Sequence, residues 1–305
     1  MPQHHRSVTS PVADFRFRAL VFAIFDSAHR SELVAYTLPS QAKWGAGRRQ
    51  SKDIALTHLP QRRFFQTGIS LLPERMAPGP LYPGSVPEAP STIRSFFLDG
   101  PAGPLEALLN AGSPDAAHTA LVCHPHPLYG GTLHNKVVFH AMKALHNLGL
   151  PVLRFNFRGA GLSRGEHDQG AGELDDVRTA LDWLDQTFHL PMIFAGFSFG
   201  AAVGLRAACP DPRVDALIAL GTPISPLDDR TYHYDFLETC AKPKLFVSGS
   251  RDQFASKANL EALVAPLPGL KKLVIVEAAD HFFEGRLREM REAVEGWARE
   301  VVGES

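Results

Sequence analysis

The segment Gly196–Gly200, with the sequence Gly-Phe-Ser-Phe-Gly, contains the residue types best suited to covalent chemistry. This Gly-x-Ser-x-Gly pattern follows an apolar run at 192–197 and precedes a run of small residues at 201–205. Glycine two positions either side of a serine permits a turn so tight that the serine backbone is strained and its hydroxyl is raised. We therefore predict that Ser198 lies in a strand-to-helix turn and acts as a nucleophile.

A nucleophilic serine needs a base, because its hydroxyl is barely ionised at neutral pH. In a strand–serine–helix arrangement the partners follow in the chain as an acid and then a histidine. His281 follows the last predicted strand and Asp252 follows the strand before it. Loops at the carboxyl ends of parallel strands meet at one edge of a sheet, so we predict His281 as general base and Asp252 as the acid that orients it. Three alternative acids remain: Asp228, Asp229 and Asp280, the last of which we expect to cap the following turn.

The negative oxygen of a tetrahedral intermediate needs hydrogen-bond donors that are already in place. One donor is expected to be the amide of Phe199, directly after the nucleophile. The other is expected from the loop 123–132, whose two prolines lack an amide hydrogen and cannot donate. We predict the amide of Leu128 as this second donor, with Tyr129 as the alternative.

The same loop contains His124 and His126, and two histidines at this spacing raise the alternative of a metal site. No Asp or Glu completes a ligand set at a familiar spacing, so we predict no metal. We expect the histidines to hydrogen bond to backbone and shape the loop. Cys123 ends a predicted buried strand and is expected to belong to the core.

The elements that must position these residues are indicated by apolar runs that alternate with amphipathic segments from residue 91 onward. Two runs, 93–98 and 105–109, flank a turn at 99–101 and predict an antiparallel hairpin. The other predicted strands are 119–123, 152–157, 192–197, 216–220, 245–248 and 273–276, and the predicted helices are 136–148, 173–188, 200–208, 256–264 and 286–302. Continuous apolar strands that alternate with helices predict an α/β fold, with a mostly parallel sheet covered on both faces.

Residues 1–90 have a different character from the rest of the chain. Hydrophobic periodicity is weak, and six prolines between Pro73 and Pro90 remove amide donors and block helix formation. We expect a poorly ordered N-terminal extension with a Pro-rich linker, or sequence upstream of the true start; a targeting segment is the third alternative. Residues 91–305 are predicted to form the catalytic domain.

The overall charge and the cysteines restrict the classes of partner and compartment. The formal net charge is −1 at pH 7, which argues against nucleic acid or an anionic membrane as a partner. No apolar run approaches the ~20 residues that span a bilayer. The three cysteines, Cys123, Cys209 and Cys240, are too scattered for a disulfide framework, and we predict a cytoplasmic location.

Several of these segments together resemble small bacterial α/β-superfamily hydrolases, the lidless, dienelactone-hydrolase-like group with serine in place of cysteine. The segments are His124–Thr132, Arg154–Ser163, Gly196–Gly200 and Asp280–Phe283. The resemblance covers roughly residues 91–302; the paired-histidine loop is fairly specific to that group, whereas the serine pattern is general to the superfamily. It implies an α/β-hydrolase fold: a mostly parallel twisted sheet with an N-terminal antiparallel hairpin, helices on both faces and no large lid. It also implies a Ser198–Asp252–His281 triad, carboxylesterase-like activity and no cofactor.

The predicted function is hydrolysis of small carboxylic esters through an acyl-enzyme intermediate, with a small-molecule ester as the partner. Only about two dozen residues separate the strands near 220 and 244, which is too few for a large lid, so an open, shallow site is expected. Tyr129, Phe197 and Phe282 are the candidates for an apolar pocket wall. A peptidase or thioesterase using the same triad, and a non-catalytic binding protein, remain alternatives, and a homo-oligomer is left open.

Overall fold

The computed structural model describes residues 93–225 and 231–303. The predictions made for residues 1–90 and for the alternative acids Asp228 and Asp229 lie outside these ranges. Among the described residues, none of the helices is both long enough and apolar enough to span a membrane.

One sheet of eight strands forms the centre of the described structure, in the order β1-β2-β4-β3-β5-β6-β7-β8. The strands are β1 Ile93–Gly100, β2 Gly103–Asn110, β3 Thr119–Cys123, β4 Val152–Phe155, β5 Met192–Phe197, β6 Val214–Leu220, β7 Lys244–Gly249 and β8 Lys271–Val276. β1 and β2 form the predicted antiparallel hairpin, and β2 also pairs antiparallel with β4. All other neighbours are parallel, so the predicted mostly parallel sheet is confirmed.

Five α-helices cover the two faces of the sheet. They are α1 Lys136–His146, α2 Ala171–Phe188, α3 Phe199–Ala208, α4 Lys257–Val264 and α5 Leu287–Gly303. Side chains of α1 and α5 share one hydrophobic cluster, and side chains of α2 and α3 belong to a second cluster on the opposite face. Alternate residues of β5 enter the two clusters, as the two-residue period of a strand requires. A strand buried on both faces therefore reads as a continuous apolar run.

Two connections differ from or refine the predictions. β4 ends at Phe155 instead of the predicted 157, because the Phe157 amide leaves the ladder and donates to the ring of His124 at 2.9 Å. Between β6 and β7 the described residues 221–225 and 231–243 contain one short 3-10 helix, Asp235–Thr239. This connection is too short to form a lid domain, as predicted.

The parallel strands are aligned at their carboxyl ends. Gly196 of β5 is opposite Cys123 of β3, and Gly249 of β7 is opposite Val276 of β8. The loops that follow these strands consequently emerge at one edge of the sheet, where residues distant in sequence can form a single site.

Candidate active site

Ser198 occupies the turn between β5 and α3. Its backbone has φ 55° and ψ −118°, a sparsely populated region for a residue with a side chain. The flanking glycines make this turn possible: a Cβ on Gly196 would lie 2.5 Å from the Gly200 carbonyl oxygen, and a Cβ on Gly200 would lie 2.4 Å from the His124 carbonyl oxygen. Specific backbone carbonyl groups therefore exclude a side chain at both glycines, which is the steric reason inferred for the Gly-x-Ser-x-Gly spacing.

Ser198, His281 and Asp252 form a continuous hydrogen-bonded chain. His281 Nε2 lies 2.9 Å from Ser198 Oγ, and His281 Nδ1 lies 2.9 Å and 3.1 Å from the two carboxylate oxygens of Asp252. A carboxylate can only accept, so Nδ1 carries the hydrogen and Nε2 is left to accept the Ser198 hydroxyl hydrogen. In this arrangement the imidazole can receive a proton from the serine.

The carboxylate of Asp252 is held by groups other than the histidine. Ser248 Oγ donates to one of its oxygens at 3.0 Å, and the Phe254 amide donates to the other at 2.8 Å. Gly249, the last residue of β7, lets the two loops approach, because a Cβ there would lie 2.3 Å from the Ala279 carbonyl oxygen. Asp252 and His281 can therefore meet although they follow different strands.

Aromatic rings surround His281, which is almost fully buried. The Phe254 ring centroid lies 4.4 Å from that of the imidazole, and the Phe282 ring lies 5.2 Å away. Asp280, the alternative acid, accepts from the amides of Phe282 and Glu284 at 3.0 Å and 2.9 Å. It caps the following turn, as expected, and is not hydrogen bonded to the imidazole.

The predicted second oxyanion donor, Leu128, does not have the required position. Its amide donates to His126 Nδ1 at 3.3 Å, its side chain is exposed, and it does not line the cavity at Ser198. The amide of the alternative, Tyr129, donates to the His126 carbonyl oxygen at 3.1 Å. The short 3-10 helix Pro127–Tyr129 turns these amides back onto their own loop, a local geometry that the sequence did not reveal.

His124 is fully buried, and both of its ring nitrogens contact backbone. Nε2 accepts from the Phe157 amide at 2.9 Å, and Nδ1 lies 2.6 Å from the Pro125 carbonyl oxygen. Burial lowers the pKa of His124 to about 4, so the ring is neutral at physiological pH. These contacts agree with the expected loop-shaping role. Among residues 93–225 and 231–303, no group of three metal-ligating side chains is arranged to hold an ion.

A cavity of about 370 Å³ opens beside Ser198 and His281. Of the three predicted wall residues, Tyr129 and Phe282 line it. Phe197 does not, because this strand residue points into the core cluster beside α1 and α5 and is fully buried. Its ring centroid instead lies 5.0 Å from that of the His281 imidazole.

Further cavity-lining residues were missed from the sequence. They include Asn135, Pro223, Tyr232 and Phe254. Phe254 could have been found, since it lies two residues after Asp252 in a loop already assigned to the site. Tyr232 lies in the irregular connection after β6 and carries no pattern that would single it out.

A second cavity, of about 550 Å³, adjoins the first. His126, Phe199 and Tyr232 line both cavities. The second cavity is more polar, and Arg206 and His233 are among its lining residues. The buried His126 ring lies 4.7 Å from the Phe199 ring and therefore stands at the border between the two spaces.

The loop after β4 is braced by buried charges. Arg158 contacts both carboxylate oxygens of Asp176, with its closest nitrogen 2.7 Å away. His167 Nδ1 lies 2.6 Å from Glu173, whose carboxylate also accepts from the Gly170 amide. Arg158 therefore braces this loop rather than lining either cavity.

Comparison with known proteins identifies the family of this chain. Residues 128–302 match a family model described as an alpha/beta hydrolase domain. An uncharacterized protein of Rickettsia prowazekii is 35% identical over 206 residues, which cover 65% of this chain and 86% of the relative. The chain belongs to the α/β-hydrolase family.

Two solved structures resemble the chain more specifically. An alpha-beta serine hydrolase homologue from Coxiella burnetii is 36% identical, with a TM-score of 0.60 over 67% of this chain and 96% of that one. A protein from Xanthomonas campestris, described as an α/β serine hydrolase without a lid, is 35% identical, with a TM-score of 0.61 over 70% of this chain and 97% of that one. The chain is thus similar to α/β serine hydrolases, one of which is described as having no lid.

Proposed function

We propose that this protein is a serine hydrolase that cleaves small carboxylic esters, with Ser198 as nucleophile, His281 as general base and Asp252 as the orienting acid. The observation that carries the proposal is the continuous hydrogen-bonded chain from Ser198 Oγ through both imidazole nitrogens to Asp252. Strain at the serine and burial of the other two residues support it, because structures retain such costly features mainly at functional sites.

The proposed reaction is acyl transfer in two steps. Ser198 Oγ bonds to the ester carbonyl carbon while His281 Nε2 takes the hydroxyl proton, and the carbonyl oxygen becomes an oxyanion. Collapse of this intermediate breaks the bond to the alcohol oxygen, which leaves with the proton from His281. Water then attacks the acyl-enzyme in the same way, and the acid is released with Ser198 restored.

Two backbone amides are proposed to stabilise the oxyanion. Phe199 begins α3, so its amide has no partner within the helix, and the helix dipole favours negative charge at this end. We assign the second amide to His126 in place of Leu128. β3 and β5 are paired up to Cys123 and Gly196; His126 and Phe199 each lie three residues beyond this pair, and both line the cavity.

The first cavity supports a preference for small esters. Its volume is about 370 Å³ and its lining is mainly aromatic and glycine, so it suits a short acyl or alcohol group. The adjoining second cavity offers room for a larger, more polar leaving or acyl group.

Hydrolysis of 4-nitrophenyl acetate, butyrate and octanoate by the wild type and by Ser198→Ala tests the substrate class. We expect wild-type kcat/KM to fall with chain length, and the folded variant to lose activity by about 10³-fold or more. Preference for the octanoate would overturn the small-ester assignment. Equal activity in the two proteins would remove Ser198 from the reaction.

A further inference from the structure

The ring of His124 has a fixed tautomer. Its Nε2 accepts from the Phe157 amide at 2.9 Å, and an amide nitrogen can only donate, so Nε2 carries no hydrogen. The hydrogen of the neutral ring is therefore on Nδ1, which donates to the Pro125 carbonyl oxygen at 2.6 Å. His124 thus joins the loop after β4 to the loop after β3 through two directional bonds.

The Pro125 carbonyl and the His126 amide belong to one peptide group. A hydrogen bond accepted by the carbonyl polarises that group and strengthens its N–H as a donor. We propose that His124 is a positioning residue for the oxyanion hole, which holds and polarises the Pro125–His126 peptide so that its N–H meets the developing oxyanion. This inference rests on the proposed function, in which His126 supplies the second amide.

The backbone of His124 is in direct contact with the turn that holds Ser198. Its carbonyl oxygen lies so close to α3 that a Cβ on Gly200 would be 2.4 Å from it. On the other side its ring packs edge-on against Phe157, with centroids 4.8 Å apart. The backbone of His124 therefore abuts the Ser198 turn while its side chain holds the next peptide, and a displaced ring would misplace the donor relative to the serine.

Three substitutions separate the two bonds. His124→Leu removes both. His124→Asn places an amide N–H near the position of Nδ1 and can still donate to Pro125, whereas His124→Gln places an acceptor near Nε2 and can still bind the Phe157 amide. His118→Leu is the matched control: His118 is also buried, lies at the opposite end of β3, and contacts Asp215 at 3.6 Å.

For His124→Leu we expect kcat on 4-nitrophenyl acetate to fall by about 100-fold while KM changes by less than about threefold, as for loss of an oxyanion donor. His124→Asn should recover about tenfold of that loss, and His124→Gln less. His118→Leu should keep wild-type kcat, even if its melting temperature falls. Circular dichroism and thermal melts establish that each variant is folded.

A folded His124→Leu with wild-type kcat overturns the inference. If that variant does not fold, the other two decide: His124→Asn must exceed His124→Gln in kcat, and equal values overturn it. Wild-type protein labelled with ¹⁵N-histidine gives an independent measurement. A boronic acid that forms a tetrahedral adduct on Ser198 should shift the His124 ring resonances and not those of His118; an unchanged His124 signal contradicts the inference.

Ser198→Ala, assayed beside these variants, distinguishes failure of the proposed function from failure of the positioning role of His124. If Ser198→Ala retains wild-type activity, the proposed function fails. If Ser198→Ala is inactive and folded His124→Leu is fully active, the proposed function stands and only the positioning role fails.

Discussion

The contacts of Asp252 determine its position more closely than its place in the sequence does. Its carboxylate receives hydrogen bonds from His281, Ser248 and the Phe254 amide, so its position is fixed from three directions. Asp280 adjoins His281 in sequence but holds only backbone amides of its own turn. Asp280 is therefore the acid next to His281 in the sequence, whereas Asp252 is the acid that contacts its imidazole.

A pair of matched substitutions distinguishes these two carboxylates. Asp252→Asn should lower kcat by about 10³- to 10⁴-fold, because an amide facing Nδ1 favours the tautomer in which Nε2 cannot accept the serine proton. Asp280→Asn keeps the oxygen that accepts from Phe282 and Glu284, so kcat should remain near wild type. Steady-state ester hydrolysis measures both, and a larger loss in Asp280→Asn would contradict the assignment.

At the element scale, the site depends on the closeness of α3 to the loop after β3. Gly200 lies in the first turn of α3 with the backbone of Cys123 and His124 directly against it. Cys123 belongs to the paired sheet and His124 directly follows it, so these backbone atoms cannot move aside as the end of a flexible side chain can. The Ser198 turn and the loop after β3 are therefore a single packed unit.

Two glycine-to-alanine substitutions in helices should have opposite effects. Gly200→Ala should lower the free energy of unfolding by about 2 kcal/mol or more and reduce kcat, because its Cβ would overlap the His124 carbonyl oxygen. Gly296→Ala in α5 meets nothing within 4 Å and should raise the free energy of unfolding by roughly 0.5–1 kcal/mol. Urea titrations measure both, and destabilisation of similar size in the two variants would contradict this packing.

The strands and helices could be predicted from the sequence because the spacing of their apolar residues follows from burial. The contacts between loops could not be predicted in this way. Ser198, Asp252 and His281 were expected to meet because each was placed after a strand, and the three side chains do meet. Phe197 was assigned to the wrong side, since a strand buried on both faces gives no sign of which cluster a residue enters. Leu128 was misplaced because hydrogen bonds within the loop are set by its 3-10 turn.

At the scale of the whole molecule, the described part is organised around one sheet and its two hydrophobic clusters. These clusters include residues from Leu98 to Ala298. The proposed catalytic residues and both cavities also lie within this span. We therefore propose that residues 91–305 form the catalytic domain and that residues 1–90 are dispensable for catalysis.

Removal of residues 1–90 tests this division. The shortened chain should fold and keep kcat/KM for 4-nitrophenyl acetate within about threefold of the full chain, because the eight strands and the residues that line both cavities all lie after residue 90. Kinetics and thermal melts of the two proteins give the comparison. A shortened chain that fails to fold, or loses most of its activity, would show that the first 90 residues contribute to the domain.

The measurement that most directly tests the proposed nucleophile is covalent labelling with a fluorophosphonate, read by intact mass and peptide mapping. Wild-type protein should gain one phosphonyl group per chain, located on the peptide that contains Ser198. Ser198→Ala should gain none, and Asp252→Asn should react far more slowly than the wild type. A wild-type protein that hydrolyses esters but is labelled on another residue, or not at all, would contradict Ser198 as the nucleophile.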